Sequence, residues 1–193
     1  MNTPSLPKLI AAASLTAGAA LFLTACGGNS EKAKTAYGET TQAIEPETRP
    51  VDGLLLAEAP TDVRPIGAVL AEPKVGDTVT VTGRIGGTTE PFGEGYALFL
   101  MADESVMFCD EMADATHCPT PWDACCEDLD KLRANRALVQ FVDEVGEVLT
   151  IDLQQAAGLS GLDKVIVTGT ISQVGADGAV IINASGLYRP KAG

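Results

Sequence analysis

Apolar and polar residues alternate with a period of two in several separated stretches of this chain. Val79, Val81 and Ile85 alternate with Thr80, Thr82 and Arg84, the pattern of a strand with one buried face. Gly83 interrupts that stretch, and a glycine there lets a strand coil around a barrel. Residues 96–101 form a second apolar run, which residues 106–109 extend after a kink at Ala102-Asp103-Glu104. Residues 137–143 give a third strand, with Val139 and Phe141 on one face and Leu138, Gln140 and Val142 on the other. A turn at 144–147 leads into an extended segment at 148–153. The last two strands are the clearest, residues 164–172 and 179–188, with Val167 and Ile171 facing inward and Thr168 and Thr170 outward. The Asp177-Gly178 pair between them signals a hairpin.

Helical signals are short. Residues 66–71 have room for one or two turns, Asp123 can cap a helix through Leu132 with Leu129 and Leu132 inward, and residues 154–162 read as a small helix broken by glycine. Residues 79–85 (VTVTGRI) also echo residues 165–171 (VIVTGTI). Nothing between the two repeats, so they read as equivalent strands of one barrel. The expected fold is mainly β: a five-stranded OB-fold-like barrel with one or two short helices and a cysteine-rich loop insertion, residues 109–127.

The first third of the chain follows other rules. Residues 9–23 are an apolar run behind Lys8, too short for a comfortable membrane span, and they end at Leu23-Thr24-Ala25-Cys26-Gly27. This resembles the lipobox of bacterial lipoproteins, in which the cysteine is acylated and becomes the new N-terminus. The resemblance implies a signal peptide over residues 1–25, lipidation (palmitate) at Cys26 and a membrane anchor rather than a span. Gly27 in place of Asp implies the outer membrane, facing the periplasm. Residues 26–64 lack a sustained period and read as a flexible tether, with Leu54-Leu55-Leu56 able to dock. The domain proper is residues 65–190.

Charge narrows the functional classes. The chain carries 13 Lys and Arg against 26 Asp and Glu, a formal charge of −13. Loss of residues 1–25 removes only Lys8, leaving 12 − 26 = −14 on the side chains. No basic cluster is present to track a phosphate backbone, so no nucleic-acid partner is expected. A single histidine, His117, and the lack of G-x-S-x-G, P-loop and H-E-x-x-H patterns argue against an enzyme. Asp110, Glu111 and Asp114 read as a solvated acidic face.

The loop at 109–127 holds Cys109, Cys118, Cys125 and Cys126 together with His117 and the one tryptophan, Trp122. Export places these cysteines in an oxidising compartment, which favours two structural disulfides. Vicinal side chains point apart, so each of Cys125 and Cys126 is expected to need its own partner, one taking Cys118 and the other Cys109. The alternative is a soft metal site for Zn²⁺ or Cu⁺ built from Cys109, His117, Cys118, Cys125 and Cys126, although C-x-x-C knuckles are missing. Redox catalysis at Cys125-Cys126 is a third reading, without its usual motif or βαβ context. Trp122 is expected to plug the gap between loop and barrel.

Two motifs add a resemblance. Residues 79–87, ending Gly83-Arg84-Ile85-Gly86-Gly87, and residues 120–127 (TPWDACCE) resemble a secreted bacterial OB-domain family of the tRNA-anti-like kind, with residues 183–186 (NASG) matching its final strand. The resemblance implies envelope location and fold, and no assigned activity. The combined expectation is a lipid-anchored, non-catalytic binding module without a cofactor, whose partner is an envelope protein or small ligand. Metal handling is the alternative.

Overall fold

The computed structural model describes residues 53–112 and 118–190. The expected signal peptide, Cys26, most of the tether and His117 lie outside these residues. Ten elements follow in order: β1 (Arg64–Pro65), α1 (Ile66–Leu70), β2 (Thr78–Ile85), β3 (Leu98–Ala102), a 3₁₀ turn (Cys109–Glu111), α2 (Leu129–Ala134), β4 (Arg136–Gln140), α3 (Leu153–Ala157), β5 (Lys164–Val174) and β6 (Val180–Tyr188).

Five of the strands close on themselves. β2 pairs antiparallel with β3 and with β5, β3 with β4, and β5 with β6, while β4 and β6 run parallel. The circuit β2-β3-β4-β6-β5-β2 is a closed barrel of OB-fold-like topology, with α3 between the third and fourth barrel strands. The two-residue β1 adds a parallel rung to β2, and Leu55 forms a parallel bridge with Leu187 of β6.

The two echoing segments are partners. Val79 stands opposite Gly169, Val81 opposite Val167, and Gly83 opposite Val165, so the repeat pairs with itself antiparallel about a local two-fold. The valines point inward and are fully or almost fully buried, with Ile85 and Ile171 completing the two rows. Thr168 is half-buried and Thr170 exposed, as the alternation requires. The inward glycines mark close approach. A Cβ on Gly83 would lie 2.5 Å from the Ala102 carbonyl, and one on Gly169 would lie 2.5 Å from the Asn183 carbonyl. Gly169 also adjoins a register shift between β5 and β6, where the sheet bends around the barrel. Phe99, Val139, Phe141, Ile182 and Leu187 fill the interior.

Several local expectations give way to tertiary contacts. Residues 106–109 do not extend β3, because the chain turns at Asp103, whose carbonyl accepts from the Val106 amide. The segment at 148–153 is no strand: it holds one bridge, Val142 with Val148, while the Leu149 amide donates to the Phe141 carbonyl and the Leu149 carbonyl accepts from the Ala97 amide. α3 is shorter than expected, stopped by Gly158 at φ +62°. α2 begins at Asp128 rather than Asp123: the Asp128 carboxylate accepts from the Asp130 and Lys131 amides. Leu129 then becomes the first helical residue and faces solvent at 71% exposure, while Leu132 is buried.

Asp103 is the one buried acid among the described residues. Its carboxylate accepts from the Gly67 amide at 2.8 Å and the Ser105 amide at 2.9 Å, tying α1 to the end of β3. Burial works against the charge, yet the Ser105 and Gly67 hydrogen bonds outweigh it and hold the group below the usual carboxylate range. A depressed pKa contributes stability that is complete above the usual carboxylate range and is lost as pH falls through the lowered value. Asp103→Ala strands two amides and should cost about 1–3 kcal/mol near neutral pH. Melting temperatures measured from neutral to acidic pH should show the gap between wild type and variant narrowing as the medium is acidified; a constant gap would contradict the assignment.

Candidate functional site

Beyond Asp103, Val106 and Phe108 enter a second, smaller core with Ala102, Ala124 and Leu132. This core lies between the barrel wall and the cysteine loop. Backbone bonds then lace the loop together. The Cys109 amide donates to the Asp123 carbonyl at 2.8 Å, and Asp110 to Pro121 at 3.0 Å.

The two sequence motifs prove to be halves of one contact. Arg84, the outward residue near the end of β2, donates to Asp110 Oδ2 and Glu111 Oε1, each at 2.6 Å. Its guanidinium sits 4.4 Å over the Phe108 ring. Asp110 and Glu111 are therefore not a free acidic face: they are the acceptors that hold the 3₁₀ turn against the barrel. The Gly87 amide donates to the Trp122 carbonyl at 2.8 Å. Gly86, at φ +149°, lies against that same carbonyl and the Phe108 ring, where a Cβ would collide. The Trp122 indole donates to the Thr89 carbonyl at 2.9 Å and lies on Gly161, whose Cβ would stand 2.5 Å from the ring. Trp122 bridges loop and barrel as its sequence context implies.

Glu127 closes the motif. Its carboxylate accepts from Lys131 Nζ at 2.6 Å and from the Met107 and Asp128 amides, each at 2.9 Å. The lysine contact first, then the two amides, pull its pKa down to about 2.

Inside this frame three sulfurs meet. Cys125 Sγ lies 3.2 Å from Cys118 Sγ and 3.5 Å from Cys109 Sγ, and the three are mutually within 4.8 Å. Cys109 and Cys118 are buried and Cys125 is exposed. Cys126, also exposed, touches the group through Cys125 at 3.8 Å. All four are free thiols in this structure, with separations well above the ~2.05 Å of a disulfide. Two separate pairs are not what the geometry displays: Cys125 is shared by two neighbours, and the vicinal sulfurs stay together because residues 124–127 form a turn, closed by the Glu127 amide on the Ala124 carbonyl. Burial pushes the Cys109 thiol up, and hydrogen bonding with Cys109 and Cys125 raises Cys118 further. Hydrogen bonds from Cys118 and then Cys109 lower Cys125.

Beside the loop runs a groove of about 420 Å³. One wall is the β2–β3 loop, with Thr89, Phe92 and Glu94; the other side is formed by Trp122, Asp152 and Gly161. The sequence singles out Trp122 but not Arg84, Gly86 and Gly161 as the supports around it. A lone outward arginine followed by two glycines was the available signal for the first two.

No family model and no curated protein matches the chain. A solved structure described as an aspartyl-tRNA synthetase from Leishmania major Friedlin is similar at 13% identity and a TM-score of 0.36, over 70% of this chain. The chain spans 22% of that protein's length, and a likeness at this level carries no argument. The class defined by the fold and the loop is therefore stated from the geometry: an OB-fold-like barrel bearing a laced, thiol-rich loop.

Proposed function

We propose that this protein is a lipid-anchored envelope module that binds a partner at the seam between barrel and cysteine loop and catalyses no reaction. The observation that carries this reading is the groove of about 420 Å³ beneath Trp122, because one wall is the first long loop of an OB-fold-like barrel, a position where such barrels hold ligands. The lipobox-like Cys26 supports attachment to the outer membrane, facing the periplasm, and the resemblance of residues 79–87 and 120–127 to secreted OB-domain proteins supports the same address. The partner class is an envelope protein or a small ligand. Nucleic acid fits poorly, since Arg84, Lys131, Arg133, Lys164 and Arg189 are each paired with an acid.

Anchoring and binding are tested together in living cells. A palmitate analogue should label the wild type and not Cys26→Ser. A photoreactive amino acid at Glu94, exposed on the groove rim, should give a discrete adduct that the same residue at the exposed Glu72, outside the groove, does not give. Labelling of Cys26→Ser would overturn the anchor, and identical patterns from the two positions would overturn the groove.

A further inference from the structure

The three converging sulfurs ask for one partner that can satisfy all of them. A disulfide joins one sulfur to one other. A bond from Cys125 to Cys118 leaves Cys109 a buried thiol 3.5 Å away, and a bond to Cys109 leaves Cys118 in the same position at 3.2 Å. Cys126 does not resolve this, since it meets the cluster through Cys125. A single metal ion resolves it directly. Sulfurs each about 2.3 Å from one ion stand about 3.8 Å apart; Cys125 lies 3.2 Å and 3.5 Å from its two neighbours, a few tenths of an ångström short of that value, and all three sulfurs lie within 4.8 Å of one another.

We infer that Cys109, Cys118 and Cys125 form a thiolate site for one soft d¹⁰ metal ion, Cu⁺ or Zn²⁺, independently of what the groove binds. The donor set is all sulfur, which selects thiophilic ions over Mg²⁺ and Ca²⁺. The three ligands come from separate backbone segments: the 3₁₀ turn, the chain before Pro119, and the turn at 124–127. That origin explains why no C-x-x-C knuckle announces the site in the sequence. Two ligands are buried and one is exposed, so an ion enters and leaves at Cys125. The Arg84 clamp on Asp110 and Glu111 and the Cys109–Asp123 backbone bond hold the first ligand in place without needing the ion. Binding displaces the thiol protons, one from each sulfur that is not already ionised.

The test uses the full mature chain isolated from its envelope and, separately, the reduced chain kept anaerobic. Native mass spectrometry should find one Zn²⁺ or one Cu⁺ in the isolated protein. The reduced protein, titrated with Zn²⁺ or with Cu⁺ supplied as a weak complex, should bind one equivalent, and the two titrations rank the ions. In the wild type, the bound ion should protect three thiols from alkylation, a readout that needs no variant. Cys118→Ser should weaken binding by at least about 100-fold, beyond the ~10–100-fold typical for loss of an outer partner, while Cys126→Ser should change it far less. A metal-free isolated protein with the mass deficit of two disulfides would overturn the site. Equal losses from Cys118→Ser and Cys126→Ser, or no protection in the wild type, would also overturn it as drawn.

Discussion

Val167→Asp should fail to fold. Val167 is fully buried at the centre of β5, opposite Val81 of β2 and Leu187 of β6, so its side chain lies where the barrel closes. A carboxylate there has no described cationic or amide partner within the valine rows. An uncompensated buried polar group costs several kcal/mol, and a charged one more. A domain of this size has about 5–15 kcal/mol of total stability, so the substitution consumes a large share of it. Loss of the far-ultraviolet and tryptophan signals of the folded barrel is the expected result. Thr170→Asp, three residues along and exposed, is the control and should shift stability by no more than about 0.5 kcal/mol. A folded Val167→Asp beside an unfolded Thr170→Asp would mean the strand is out of register by one residue, since a one-residue slip exchanges the two faces.

Gly86→Ala should leave the barrel standing and detach the cysteine loop from it. Gly86 adopts φ +149°, which an alanine enters only under strain, and its Cβ would press on the Trp122 carbonyl and come within 2.9 Å of Phe108 Cε1. Strain of about 1–3 kcal/mol and overpacking of about 1–3 kcal/mol act together where the end of β2 meets the loop. Relief comes most readily by moving the loop, because Gly86 itself is held by its amide on the Leu100 carbonyl inside the sheet. The buried thiols of Cys109 and Cys118 should then alkylate faster in the reduced protein, and the melting temperature should fall. Gly95→Ala separates the two causes: its φ is +73°, but nothing lies within 4 Å of the added Cβ, so it should pay the backbone strain without exposing the thiols. Unchanged thiol reactivity in Gly86→Ala would show that the loop does not depend on this contact.

The thiol arrangement also explains why the cysteine pattern was ambiguous by itself. Disulfides and thiolate metal sites both draw on cysteines clustered in a loop, and the choice depends on which sulfurs share a neighbourhood. Chain separation carries little of that information. Nothing in the spacing shows that the Pro121 carbonyl accepts from the Asp110 amide, which ties the segment after Cys118 to the turn that begins at Cys109.

What the sequence by itself determined is everything governed by near neighbours. The alternation in β2 and β5, the inward glycines and the Asp177-Gly178 hairpin follow from steric preferences acting over a few residues, and they sufficed for a barrel of this class. Long-range choices were decided by the tertiary structure. Asp123 and Asp128 are equally able to cap a helix, and the helix starts at Asp128 because the Asp123 backbone is already committed to Cys109. The two echoing strands pair with each other because closing the barrel leaves each the other's edge. Arg84 finds Asp110 and Glu111 only after β2 and the 3₁₀ turn are brought side by side, and the three sulfurs converge only once that clamp and the turn at 124–127 have formed. Local patterns encode which residues face inward; which distant groups meet is set by the one packing that buries them all.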